Sequence, residues 1–230
     1  AGMCGLDFVW IEGEHGSADV MHVEHLCRAA ELRGVIPMLR VPEGSRAWVL
    51  RGLEAGAKII VIPQVNTVEQ AAAIAEYGKF PPIGKRGFNF GSRGLRYGFD
   101  GAVASEVFAR ANASTVLLPQ IESAQAVRNA EAILSIEGID GVLVGPGDLS
   151  VDMGLVGQNE NEELVSAAES VFLLANKLGK IAATVCSTEA VTKRWLEAGV
   201  HMLNIGGDLG AVRSFFSSRL EYFREITNKH

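Results

Sequence analysis

The sequence has almost no cysteine. Its three, Cys4, Cys27 and Cys186, are an odd number without CxxC spacing, which argues against a disulfide framework and against a finger-type zinc site and predicts reduced, structural thiols. It also lacks any run of Lys or Arg, and the formal net charge is −6, so a phosphate backbone would meet no cationic surface on which to release its counterions. No apolar stretch reaches the roughly 20 residues that cross a bilayer, and the first ten residues have no basic segment. These absences predict a soluble, cytoplasmic protein with neither nucleic acid nor membrane as a partner. Low-complexity linkers are missing too. What is present is apolar material, 48% of residues against 21% charged, enough for one large core, although the length suits one α/β barrel as well as two smaller domains; with no shift of composition along the chain, one domain over residues 1–230 is expected.

One pattern recurs along the chain: an amphipathic helix ends at a glycine or small residue and runs at once into a short segment of Ile, Val and Leu. The ends at Gly34, Gly56 and Gly199 lead into strands over 36–40, 58–62 and 202–205, and further strands are expected over 8–12, 116–122, 141–144 and 180–185. Each is apolar on both faces, as a parallel sheet buried between a core and a helical layer requires. Repeated βα units predict an α/β fold of the (β/α)8 TIM barrel type. Seven strands are one short, and residues 1–5 read as a helix end, so the expectation is that a preceding strand and helix are missing from the chain. The alternative is a weak strand within 85–99, a Gly- and Arg-rich stretch that reads better as a long functional loop.

Such barrels carry chemistry at the C-terminal ends of their strands, which singles out Glu12, Glu14, His15, Arg40, Gln64, Gln120, Glu122, Asp148 and Asp208. A carboxylate ending an apolar strand loses hydration unless a cation or several donors compensate, so Glu122 and Asp148, on adjacent strands, point to a shared divalent ion. Two ligands would leave positions open for water and a chelating substrate. Equally, Asp148 could cap a helix and Glu122 could pair with an arginine. Arg40 needs an anion, either a protein carboxylate or a substrate oxygen. His15 suits acid–base work, although a lone His is more often a hydrogen-bonded structural residue. Arg86, Arg93 and Arg96 could bind an acidic substrate end but read first as solvated loop charges, and His22 and His25 as surface residues.

Several motifs together carry a resemblance. They are the run from Gly5 to His15 (Gly-Leu-Asp-Phe-Val-Trp-Ile-Glu-Gly-Glu-His), Arg40-Val41-Pro42, Leu53-Glu54-Ala55-Gly56-Ala57, Ile62-Pro63-Gln64-Val65 and Pro81-Pro82-Ile83-Gly84-Lys85-Arg86-Gly87. Gln120-Ile121-Glu122, Gly138-Ile139-Asp140-Gly141-Val142 and Gly145-Pro146-Gly147-Asp148-Leu149-Ser150 complete the set. In this order and over essentially the whole chain, the sequence resembles the class II (metal-dependent) 2-oxo acid aldolases. That family is typified by 4-hydroxy-2-oxoheptanedioate and 2-dehydro-3-deoxyglucarate aldolases, with citrate lyase beta subunits and malyl-CoA lyases as distant relatives.

The resemblance implies an aldolase that cleaves 4-hydroxy-2-oxo acids reversibly to pyruvate and an aldehyde. Glu122 and Asp148 would ligate Mg2+, Mn2+ or Co2+, Arg40 would face the 2-oxo group, and His15 would act as acid and base. Gln120 would line the pocket, and the amides of Gly147 and Asp148 would hold the pyruvate carboxylate. It places Glu12 in the catalytic set, makes Glu54 the carboxylate that orients the histidine, and implies a homotrimer or homohexamer. Alternatives are a lyase or decarboxylase acting on another 2-oxo acid or a CoA thioester, and a non-catalytic 2-oxo acid binding homologue. Three positions depart from the family pattern. Glu12 and Glu54 stand where many relatives carry Asp, Gly147 stands where Ala is commoner, and the segment from Phe88 to Tyr97, expected to touch substrate, differs.

Overall fold

The computed structural model describes residues 2–99 and 103–227. Seven strands pair in parallel in chain order: β1 (Phe8–Glu12), β2 (Ile36–Arg40), β3 (Ile59–Ile62), β4 (Val116–Ile121), β5 (Gly141–Val144), β6 (Ile181–Val185) and β7 (Met202–Asn204). Parallel neighbours need a long crossover, and helices supply it. α1 (Val20–Glu31) follows β1, α2 (Arg46–Ala55) follows β2, and α3 (Val68–Gly78) and α4 (Ala104–Ser114) lie between β3 and β4. Then come α5 (Ala124–Leu134), α6 (Pro146–Asp152) and α7 (Glu162–Lys177), α8 (Glu189–Glu197), and α9 (Asp208–Thr227) after β7.

The result is a nearly closed barrel in which, among the described residues, no strand joins β7 to β1. Where eight strands were expected, the described residues hold seven, all at the sites read from the sequence. The stretch over 85–99 holds no strand; it contains a 3-10 turn at Arg93–Gly98. The described residues of α9 are exposed along its whole length. No described helix is long and apolar enough to cross a membrane.

Side chains alternate across each strand, and the two faces fill two cores. Outward residues such as Leu39, Ile60, Leu117 and Val142 pack with Val49, Leu53, Ile133 and Phe172 of the helices. Inward residues fill the barrel: Phe8 and Trp10 of β1, Met38 of β2, Ile59 and Val61 of β3, Leu118 of β4, Leu143 and Ala183. Two residues beyond Trp10, Met38 and Leu118 the same inward rows end in Glu12, Arg40 and Gln120. Strand periodicity alone therefore turns an apolar interior into a polar rim at the C-terminal mouth.

Helix starts fix that rim. Asp19, Ser45, Thr67, Ser123 and Thr188 each accept a hydrogen bond from a first-turn amide, which ends a strand-exit loop and begins the helix at the same residue. Thr67 and Gln70 complete a reciprocal capping box.

The connection from α3 to α4 corrects two expectations. Its arginines are not all solvated. Arg86 is buried with its guanidinium 4.7 Å from the Phe80 ring, and Arg93 Nη1 donates to Ala55 O at 2.7 Å while Nη2 pairs with Glu31. Ala55 and Glu31 end α2 and α1, so Arg93 sits where chains enter the strands, at the opposite end from the mouth. Within one chain this part of the segment from Phe88 to Tyr97 does not line the strand C-termini.

Candidate active site

Glu12 and Arg40 are register partners on β1 and β2. Arg40 Nε donates to Glu12 Oε1 and Oε2 at 3.1 and 2.9 Å, and Nη2 lies 2.6 Å from Glu12 Oε2. Nη1 reaches Glu14 Oε2 at 3.1 Å. The Trp10 indole donates to Glu12 Oε2 at 3.2 Å, and its ring lies 5.3 Å from the guanidinium carbon. Glu12 Oε1 also accepts from the amides of Glu14 (2.7 Å) and His15 (3.1 Å), so one carboxylate orders both the arginine and the turn that carries the histidine. Burial alone would raise the Glu12 carboxyl, but the Arg40 hydrogen bond and charge, with the two amides, outweigh it and hold the group below its usual range. The anion that Arg40 required is supplied within the chain.

Glu122 follows β4 directly, 3% exposed. Its Oε1 accepts from the Gln64 amide at 2.7 Å, and its Oε2 from Gln120 Nε2. Gln64 presents that amide from a left-handed backbone, φ 58°, a conformation disfavoured for any residue with a side chain. Among the described residues no cation pairs with Glu122, so the arginine alternative is not realised. Burial pushes its carboxyl up to about 7, and the charges of Asp148 and Glu14 push the same way, against the two hydrogen bonds. Gln120 is buried and its Oε1 has no partner.

Asp148 lies exposed in the first turn of α6. The cap of that helix is Gly145, without a side-chain hydrogen bond, so Asp148 is not spent on capping. Gly145 is required sterically: a Cβ there would come within 2.7 Å of Gln120 Nε2 and 3.0 Å of Glu122 Oε2. Gly147 is the opposite case, since a Cβ would meet nothing within 4 Å. Gly147→Ala should therefore stabilise the protein by up to about 1 kcal/mol through the unfolded chain and the better helix former. The check is a thermal melt with activity alongside; a lower melting temperature would mean the glycine has a conformational role.

The structure brings Glu12, Arg40, Gln120, Glu122, Gly147, Asp148 and His15 to the strand mouth, where His15 is 67% exposed with Nε2 3.7 Å from Glu14 Oε2. It does not bring Glu54 there. Glu54 sits in the last turn of α2, which leads into the N-terminal end of β3, and its backbone is crowded by Gly94. Within one chain His15 and Glu54 stand at opposite ends of the barrel, because a helix that starts at the mouth must finish at the base. Asp208 opens α9, and lines a cavity beside the β1 and β7 edges instead of the Glu122 site. His22 and His25 are surface residues on α1, as expected.

Sequence reading singled out Glu14 and Gln64 as strand-end candidates but gave neither the contact it makes here. Glu14 lies past the last strand residue, where the two-residue period no longer says which way a side chain points, and a backbone donor leaves no mark in the side-chain pattern. Among the described residues no group of three or more His, Cys, Asp or Glu forms a ready metal cluster. The pair Glu122 and Asp148 fits an oxygen-liganded divalent ion that keeps several exchangeable positions, because Glu122 is buried without a compensating cation.

The sequence model described as HpcH/HpaI aldolase/citrate lyase matches residues 1–214. The chain is 33% identical over 227 residues to a 2-keto-3-deoxy-L-rhamnonate aldolase of Salmonella gallinarum, covering 98% of this chain and 84% of the relative. It is 33% identical over 224 residues to a 5-keto-4-deoxy-D-glucarate aldolase of Klebsiella pneumoniae, covering 97% and 86%. Among solved structures, an HpcH/HpaI aldolase from Desulfitobacterium hafniense superposes with a TM-score of 0.89 at 29% identity, over 97% of this chain and 86% of that one. With the parallel barrel and the acidic mouth already in place, these matches settle the family: the chain belongs to the HpcH/HpaI aldolases and citrate lyases.

Proposed function

We propose that the chain is a metal-dependent carbon–carbon lyase that cleaves 4-hydroxy-2-oxo acids reversibly to pyruvate and an aldehyde. The observation that carries this reading is Glu122, a buried carboxylate beside a second one, with amide donors but no cation. Glu122 and Asp148 would hold Mg2+, Mn2+ or Co2+. When bound, such an ion supplies the Lewis acidity that polarises a 2-oxo carbonyl.

The chain's own residues do the rest. Arg40 places a guanidinium where negative charge develops on the 2-oxo oxygen, and its position is rigid because Glu12 holds its Nε edge. His15, exposed at the mouth, would take the proton of the 4-hydroxyl, directly or through one water, and return it in the synthetic direction. Gln120, braced by Glu122, lines the pocket floor. The free first-turn amides of Gly147 and Asp148 offer donors to the substrate carboxylate. The activities named for the two curated relatives favour a deoxy sugar acid as substrate, hence a role in sugar-acid catabolism. A cytoplasmic homotrimer or homohexamer is the proposed working form.

The test is pyruvate release from 2-keto-3-deoxy-L-rhamnonate and from simpler 4-hydroxy-2-oxo acids, coupled to a pyruvate-consuming dehydrogenase, with EDTA and then each metal added back. Release that EDTA stops and metal restores is the expected result. Turnover of a CoA ester alone would transfer the site to thioester lyases. Binding of pyruvate without turnover of any substrate would make the chain a binding protein.

A further inference from the structure

Glu14 is a carboxylate at the mouth with a buried oxygen that no hydrogen bond satisfies. Its side chain is 17% exposed, and its Oε2 is buried without a hydrogen bond. That oxygen lies 3.1 Å from Arg40 Nη1, out of line for a hydrogen bond, and 3.7 Å from His15 Nε2. Glu12, by contrast, is saturated by the Arg40 Nε edge, the Trp10 indole and two backbone amides. A guanidinium offers five donors in a plane, and Glu12 occupies one edge of it, so the Nη1 end is where an incoming oxygen must bind. Glu14 sits at that end. Glu14 follows β1 at the same strand mouth that holds Glu122 after β4 and Asp148 after β5, so its negative charge faces the same opening.

Building on the metal-aldolase reading above, we propose that Glu14 is a positioning residue. It holds Arg40 Nη1 until an oxygen of the anionic substrate replaces it, and it adds a third negative charge that draws the divalent ion to Glu122 and Asp148. The two effects oppose each other: the charge that helps the cation hinders the anion. The weak, misaligned contact is the one that can break at little cost, while the Glu12 edge stays fixed and keeps the guanidinium aimed.

The experiment is Glu14→Gln, a replacement of equal size without the charge, measured by titration calorimetry with Mn2+ on the EDTA-stripped protein and with oxalate on the Mn2+-saturated protein. Mn2+ affinity should fall about 10-fold, the scale of one charge lost at a partly buried site, and oxalate affinity should rise about 3-fold or more as its competitor for Nη1 disappears. Glu14→Asp separates the two roles. It keeps the charge, restoring Mn2+ affinity, but is one methylene too short to hold Nη1, so oxalate affinity stays raised. A fall in both affinities, or no change in either, overturns the proposal while leaving the aldolase reading intact. A parent protein that binds no Mn2+ overturns both.

Discussion

Glu122→Gln should abolish metal-dependent cleavage, by at least about 10³-fold in kcat, and should make the metal-free protein more stable. The two effects have one cause. The Glu122 carboxyl is raised from an ordinary 4.5 to about 7, burial first, so the unfolded chain gives up this proton at lower pH than the folded one does. Between those values the unfolded state binds fewer protons, and stability falls as pH rises, by up to about 3 kcal/mol above pH 7. A glutamine carries no such penalty. Its Oε1 can accept the Gln64 amide, and its Nε2 can donate to the Gln120 Oε1 that now has no partner, once the Gln120 amide turns over. Melting EDTA-treated parent and variant at pH 5 and pH 8 gives the check. The variant should gain little at pH 5 and several degrees at pH 8. Equal gains at both pH values, or retained metal-dependent turnover, would sink the assignment.

Arg40→Ala should cost both stability and activity. The guanidinium is 12% exposed between two carboxylates, and deleting it leaves Glu12 and Glu14 facing each other without a cation. Removing one partner of such a buried network costs about 3–5 kcal/mol, far more than the net worth of the pairing itself. Turnover should drop about 10²- to 10³-fold, the usual effect of losing one donor to developing charge. Arg40→Lys distinguishes the two losses. A lysine ammonium can neutralise one carboxylate and recover part of the stability, but it cannot hold the Glu12 edge and present Nη1 together, so activity stays low. Urea unfolding and steady-state kinetics on both variants are sufficient. Parent-like kcat in Arg40→Ala would remove Arg40 from the chemistry.

The fold was legible because the same signal repeats. Strands such as that over 59–62, apolar at every position, can sit only where both faces are covered, and the glycine or small residue before each one marks a helix end. Strand-end residues were legible for a similar reason. Glu12, Arg40 and Gln120 continue inward rows that begin with Trp10, Met38 and Leu118, so their direction follows from parity. Parity ends with the strand. It said nothing of Glu14 or of the Gln64 backbone, which loops place by turn geometry, nor that Arg93 would fold back onto the ends of α1 and α2. For Glu54 the motif came without an address. Which end of the barrel it occupies depends on the length of α2, and that length carries it away from His15.

Gly145 and Gly147 lie two residues apart and obey opposite rules, one wedged against Gln120 and Glu122 and the other facing empty space. Tolerance of substitution along this loop is therefore uneven. A side chain at 147 would meet no neighbour within the chain, whereas at 145 every substitution must first dislodge Gln120 or Glu122. A specificity-directed library built on this scaffold would squander its diversity at the first position and find room for it at the second.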